Sequence, residues 1–498
     1  MESSFSISGN IVDVVNKRIL KGIVHVDEGK ISYIEETDVK ENVYIMPGFT
    51  DAHIHIESSM LIPSEFARIA VTHGTVATVS DPHEIANVLG IEGVKFMIEN
   101  GKKVPFKFYF GAPSCVPATG FESSGAALGV KETEELLRSD DIYYLAEMMN
   151  FPGVIFDDTT VKEKLALAKK YNKPIDGHAP GLSGEQLKKY IAAGITTDHE
   201  CFTLSEAEEK IALGMKILIR EGSAAKNFEE LLPLIKAHPD KVMFCSDDKH
   251  PDDILRGHIN IIAQRAVAKG YDIMDILRAL TLNPAQHYKL NTGLLQPGDD
   301  ADFIVVASLN EFEVISTFIK GEKVFDAGKC FILDVPEIPL NNFDTNNICL
   351  NHLRIPAESS VIHVIEAFDG QLVTKAASNI AKIVDGCAVS DPDKDILKIL
   401  VMNRYQPSNP AIGFIKNFGL KSGAIASTVA HDSHNIICTG ANDADMMYAV
   451  NKLIETKGGI CVANSEGCHI LPLPVAGLMS CKDAKTVAKQ YELLDKLA

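Results

Sequence analysis

Positive charge is scarce in this chain. Its 498 residues carry 48 Lys and Arg against 67 Asp and Glu, a net charge of −19. Binding a phosphate backbone needs clustered Lys and Arg, so no nucleic-acid partner is expected. No apolar run is long enough to span a bilayer, and the opening MESSFSISGN lacks the apolar stretch of a secretory leader. No membrane association and a cytoplasmic location are therefore expected. The ten cysteines form neither CxxC pairs nor a regular framework and read as reduced thiols. Internal repeats and low-complexity tracts are also missing. What remains is ordinary globular composition, 46% hydrophobic and 23% charged, on a chain long enough for two or three domains.

The first forty or so residues are short β-like runs broken by turns at Gly9-Asn10 and Glu28-Gly29. From Tyr44 the pattern changes to eight apolar runs, VYIMPGF, TVATVS, FKFYFG, YYLAEM, KPIDG, ITTDH, KILIR and KVMFCS, separated by candidate helices. Two of these, SGEQLKKYIAAG and SEAEEKIALG, open with Ser, carry acidic residues in the first turn and end with Gly. Eight strands alternating with helices over residues 45–289 predict an α/β fold, a (β/α)8 barrel. An open doubly wound sheet is disfavoured, because no Gly-rich phosphate loop follows the first run. After TLNPAQHYKL the short β-like runs return. Residues 1–44 and 290–335 are expected to pair into one small β-domain flanking the barrel. DVPEIPLNNFDTNN reads as a linker, and 346–498 as a C-terminal α+β domain.

Barrel active sites lie at the C-terminal ends of the strands. Those ends carry His53 and His55, then Asp81, His83 and Glu84, then Glu147, Asp176 and His178, Asp198, His199 and Glu200, Arg220 and Glu221, and Asp247 and Asp248. Each alone reads more readily as a solvated or helix-capping residue. Together they would converge on one small volume, where buried carboxylates repel each other unless a cation lies between them. Mixed His and carboxylate donors suit a divalent first-row metal, and more than four donors suggest two ions.

With PGFTDAHIHIE, SDPHEIANVLG, PSCVPATG, LAEMMNFPGVI, DGHAPGLSG, TDHE, IREGSAAKN, FCSDDKHPDD, GLLQPGDDADFIVV and the late AHDSHNIICTGANDADMMYAVN, the chain resembles the amidohydrolase superfamily, and within it the bacterial-type adenine deaminases. The resemblance runs through almost the whole chain. It implies adenine as substrate and a binuclear divalent centre, Mn or Fe with Zn possible. It also implies a homo-oligomer, dimer or larger. His53 and His55 would bind the more buried ion, with Asp247 at the reacting side, and His178 and His199 the second. Many amidohydrolases bridge their ions with a carboxylated lysine from strand four; YYLAEMM has none, so Glu147 is the expected bridge. Asp247 is the expected general base. Glu200 is the first choice for the acid that protonates the ring, with Glu84 and Glu221 as competitors. Asp248 and Ser114 are expected to read the purine edge, each equally open to a capping or loop role. Arg220 and His83 complete the expected substrate-binding group, unless His83 only orders the loop after strand two. His431 and His434 in HDSHN look like ligands but lie outside the barrel, where such a pair is more often structural or interfacial.

Three other readings compete. The cytidine-deaminase zinc site needs P-C-x-x-C, which the chain does not contain. An N-acetyl-sugar deacetylase-like amide hydrolase would keep the barrel and can also use a Glu bridge. A silent amidohydrolase-like scaffold would have lost ligands, yet every expected ligand position is filled.

Overall fold

The computed structural model describes residues 4–370 and 373–498. Eight parallel strands form the central barrel: Phe49–Ile54, Thr75–Ser80, Lys107–Ala112, Ile142–Met148, Ile175–Gly177, Thr197–Asp198, Lys216–Arg220 and Val242–Cys245. The first five make one ladder and the last three another. The ladders join at both seams. Thr196 N donates to Ile175 O at 3.0 Å, and Asp247 N donates to His53 O at 2.9 Å. The interior is filled by Ala52, Val79, Tyr144, Ala146, Leu218, Met243 and Cys245, so the barrel is a packed core rather than a pore. Strands such as Thr75–Ser80 are buried along their whole length, as expected where helices cover the outer face.

The start of the barrel differs from its expected place. VYIMPGF is not one strand. Tyr44–Pro47 belongs to the flanking sheet, where it runs parallel to Ser4–Asp13 (Ile11 opposite Ile45) and antiparallel to Phe303–Val306 (Pro47 opposite Phe303). The barrel strand begins after the break, at Phe49. Gly48 makes the break possible, since a Cβ there would lie 2.4 Å from Val76 Cγ1. The flanking sheet has eight strands, drawn from residues 4–47 and 303–330. Helix punctuation also differs in detail. Leu204–Ala212 is capped by Thr203, whose hydroxyl accepts from Glu206 N, and not by Ser205, which already lies inside the helix.

The C-terminal lobe is a second eight-stranded sheet, backed by the helix Asp443–Thr456, with a small three-stranded sheet beside it. Its chain then returns to the barrel mouth. Ser480 N donates to Met60 O at 2.8 Å, and within the lobe the fully buried Arg404 donates to Ala476 O at 2.7 Å and fixes the returning segment. The last helix, Ala484–Leu497, lies against the loop after the eighth strand, where Tyr491 Oη meets His250 Nδ1 at 3.0 Å and Arg256 meets Glu492 at 3.1 Å. Leu471, Leu473, Val475 and Met479 share one apolar core with Met60, Leu61 and Phe66 of the barrel. The lobe is thus packed over the strand ends.

Gly48→Ala should destabilise the protein by about 1–3 kcal/mol, the usual cost of overpacking a tight contact. Val76→Ala in the same chain should restore part of that loss. Denaturant unfolding of the two single variants and the double variant checks both expectations.

Candidate active site

The site is assembled at the strand ends by hydrogen bonds the sequence places there. Asp51, fully buried, accepts from Ser246 N at 3.1 Å and faces His258 Nε2 at 2.8 Å, which ties strand one to the loop after strand eight. Asp247 has a left-handed backbone (φ 55°), a conformation Asp tolerates better than most residues. Its carboxylate turns back towards strand one. Lys210, fully buried, donates to Asp198 Oδ2 at 2.5 Å and Ala179 O at 2.8 Å, joining the loops that carry His199 and His178.

Glu147 lies at the centre. Its Oε1 faces His55 Nε2 at 3.4 Å and His83 Nδ1 at 3.5 Å; its Oε2 faces His178 Nδ1 at 2.8 Å and His199 Nε2 at 3.1 Å. Asp247 Oδ1 faces His53 Nε2 at 3.5 Å and His55 Nε2 at 3.3 Å, while its Oδ2 accepts from Arg220 Nη1 at 2.6 Å. The two Nε2 atoms of His53 and His55 are 3.2 Å apart. His55 Nδ1 lies 3.1 Å from Asp81 O. A carbonyl only accepts, so that nitrogen carries the proton and the Nε2 lone pair of neutral His55 points into the cluster.

The charges are strongly coupled. Burial works against ionisation of Glu147, but His178 and His199 outweigh it and hold the carboxyl well below its usual range. Burial opposes ionisation of Asp247 too, and His53, His55 and Arg220 overcome it in the same way. Burial lowers His178, yet Glu147 brings it to about 9. Without a cation, the cluster must therefore take protons onto its histidines to offset its carboxylates.

Beside this floor Glu84, also buried, faces His83 Nε2 at 3.3 Å and His431 Nδ1 at 2.7 Å, and it contacts His434 Nε2. Burial disfavours its charge, but His431, His434 and His83 hold it well below the ordinary value, and Glu84 lifts His431 to about 10. The HDSHN histidines thus reach the barrel mouth of their own chain. The floor opens into a cavity of about 420 Å³, walled by Met60, Met149 and Asp248 from the barrel and by Val429, Asp432, Ile460 and Tyr491 from the C-terminal lobe.

The family model for the amidohydrolase family matches residues 44–324, and that for the adenine deaminase C-terminal domain matches residues 371–498. An adenine deaminase of Methanosarcina mazei is 53% identical over 98% of this chain and 91% of its own length. That of Salinibacter ruber is 51% identical over 99% and 91%, and that of a Sulfurovum species 54% over 98% and 90%. The chain belongs to the amidohydrolase family, among its adenine deaminases.

Membership implies use of a divalent metal, and the donor set fits one. The inward Nε2 lone pair of His55, the facing imidazoles of His53 and His55, and two buried carboxylates suit a cation better than a set of protons. His53, His55, Glu147, His178, His199 and Asp247 are all brought together, in overlapping groups whose ligand atoms lie within 4.8 Å of one another.

The other expected residues divide. Glu200 reaches the site, 3.5 Å from His199 Nε2, but Arg220 grips both its oxygens, with Nη2 donating to Oε2 at 2.9 Å. Arg220 is itself held between Glu200 and Asp247, so both are ion-paired neighbours of the histidine–carboxylate floor. Glu221 is not part of the cluster. It pairs with Arg265 on the helix Ile259–Ala268, because residues 220 and 221 point to opposite sides of the strand end. Ser114 does not line the cavity; its hydroxyl donates to Glu147 O and supports strand four from behind. Asp248 lines the cavity and accepts from Ser58 Oγ at 2.5 Å. Asp81 stood among the strand-end residues without an assigned role, and Asp432 and Tyr491 were not among the expected site residues. Asp81 was visible in SDPHE and Asp432 in HDSHN, whereas nothing in the sequence around Tyr491 points to a cavity wall.

Glu147→Gln should leave the fold intact and lose or loosen metal, since the amide keeps the size but removes the charge facing four imidazoles. Metal analysis alongside far-UV circular dichroism checks this; full metal content with near-normal turnover would contradict it.

Proposed function

We propose that this chain hydrolyses adenine to hypoxanthine and ammonia at a pair of divalent ions, Mn or Fe before Zn. The observation that carries the reading is Glu147, which presents one oxygen to His55 and the other to His178 and His199, beneath a wall built by an adenine-deaminase-type C-terminal domain. His53, His55 and Asp247 would hold one ion and His178 and His199 the other, with Glu147 between them. When bound, such ions supply a water acidic enough to attack carbon at neutral pH.

The chain's own residues do the rest. Asp247 is the base: it accepts the proton of the attacking water and returns it to the departing amine. Arg220, donating to its Oδ2, fixes the carboxylate with Oδ1 toward His53 and His55. Attack at C6 also needs a proton on a ring nitrogen. Of the three carboxyl groups considered for that proton, Glu221 faces Arg265 and Glu200 has both oxygens on Arg220, so neither presents a free oxygen to the purine. Glu84 lines the cavity but is held as a carboxylate by its histidines, so we assign ring protonation to the imidazole of His83, whose Nε2 lies 3.3 Å from Glu84. The Glu200–Arg220 pair then acts on Asp247 rather than on the purine.

A deacetylase-like hydrolysis of an amide would release acetate instead of ammonia. An ammonia-release assay over adenine, adenosine, cytosine, guanine and an N-acetyl sugar separates the readings. Adenine alone should respond, with hypoxanthine formed in equal amount; equal turnover of adenosine would overturn the free-base assignment.

Asp247→Asn should lower kcat at least ~10²–10⁴-fold, the range of general acid–base catalysis. It should change adenine binding far less. A loss confined to KM would show that Asp247 binds substrate and is not the base.

A further inference from the structure

Six carboxylates line the catalytic cavity, and five are already engaged. Glu147 faces the histidines of the floor, Asp247 and Glu200 accept from Arg220, Asp248 accepts from Ser58, and Glu84 is held by His431 and His434. The sixth is Asp432. Its nearest cationic neighbour among the described residues is His83 Nε2 at 3.9 Å, beyond hydrogen-bond reach, and about a quarter of its side chain (28%) is open. An acceptor left without a donor on a cavity wall is suited to a donor on the ligand.

The position fits that use. His83 stands between Asp432 and the floor: its Nδ1 lies 3.5 Å from Glu147 Oε1 and its other nitrogen 3.9 Å from Asp432 Oδ1. Asp432 is therefore one imidazole ring beyond the metal ligands. A purine with C6 over the floor extends its five-membered ring by a comparable distance. Val429 and Ile460 of the same lobe supply apolar surface beside that end.

We propose that Asp432, carried by the C-terminal lobe, accepts the imidazole-ring N–H of the free purine base and so selects bases over 9-substituted purines. The inference rests on the adenine deaminase reading and names a determinant of its specificity. A 9-substituted purine has no proton on N9 and places carbon against the carboxylate. A site built to bond a substrate N–H rejects analogues lacking it far more strongly than an apolar pocket does.

The test compares adenine with 9-methyladenine on wild type, Asp432→Ala and Asp432→Asn, with metal content and circular dichroism on each sample. Wild type should strongly prefer adenine. Asp432→Ala should raise KM for adenine by roughly 10- to 100-fold, leave kcat within a few-fold, and narrow the preference by a similar factor. Asp432→Asn, whose amide oxygen still accepts, should recover much of both. Unchanged KM and preference in Asp432→Ala would overturn the proposal, as would loss of metal or fold in both variants or a fall in kcat alone. Wild type that releases no ammonia from adenine would instead defeat the underlying reading.

Discussion

Everything at the mouth of this barrel depends on keeping Glu147 charged where almost none of its side chain is open to solvent. A buried carboxylate is tolerated only when cations or donors surround it. Here each oxygen meets two imidazoles, which come from strand ends one, two, five and six. That requirement couples separate βα units. Moving any one strand end by an ångström would leave an oxygen or a ring nitrogen without its partner. The same requirement explains why a metal fits. A divalent ion replaces the several protons that the histidines would otherwise have to carry.

The second constraint is the C-terminal lobe. Glu84 belongs to the barrel, but two of the histidines that offset its charge belong to the lobe. The return of the chain at Ser480 and the contact of Tyr491 with His250 hold the lobe over the strand ends. The cavity therefore has a floor from one domain and a wall from another. The floor gathers the histidines and carboxylates; the wall is where a preference for one substrate can be built without disturbing them.

Much of this was legible in the sequence, for a physical reason. Barrel strands are short and bounded by turn residues, and their C-terminal ends project side chains into one volume, so a list of strand ends approximates a list of site residues. That list held His53, His55, Glu147, His178, His199 and Asp247 among others, and the resemblance to the amidohydrolases singled these six out. The reasoning failed where orientation mattered. Glu221 follows Arg220 directly, yet alternation along the strand turns it outward to Arg265. Ser114 sits in a promising loop but bonds the back of strand four. Tyr44–Pro47 reads as a barrel strand because its apolar pattern is the same in either sheet, and only the packing of Gly48 against Val76 shows the break. Residues more than 150 positions downstream, such as Asp432 and Tyr491, enter the site through tertiary packing that no local pattern records.

The central claim is that Glu147 stands between two metal ions. Anomalous-difference crystallography of the metal-loaded protein tests it most directly. The account predicts two anomalous peaks, one within coordinating distance, about 2.0–2.2 Å, of each Glu147 oxygen, the first shared with His53, His55 and Asp247 and the second with His178 and His199. A single peak, or two peaks of which neither touches Glu147, would contradict it.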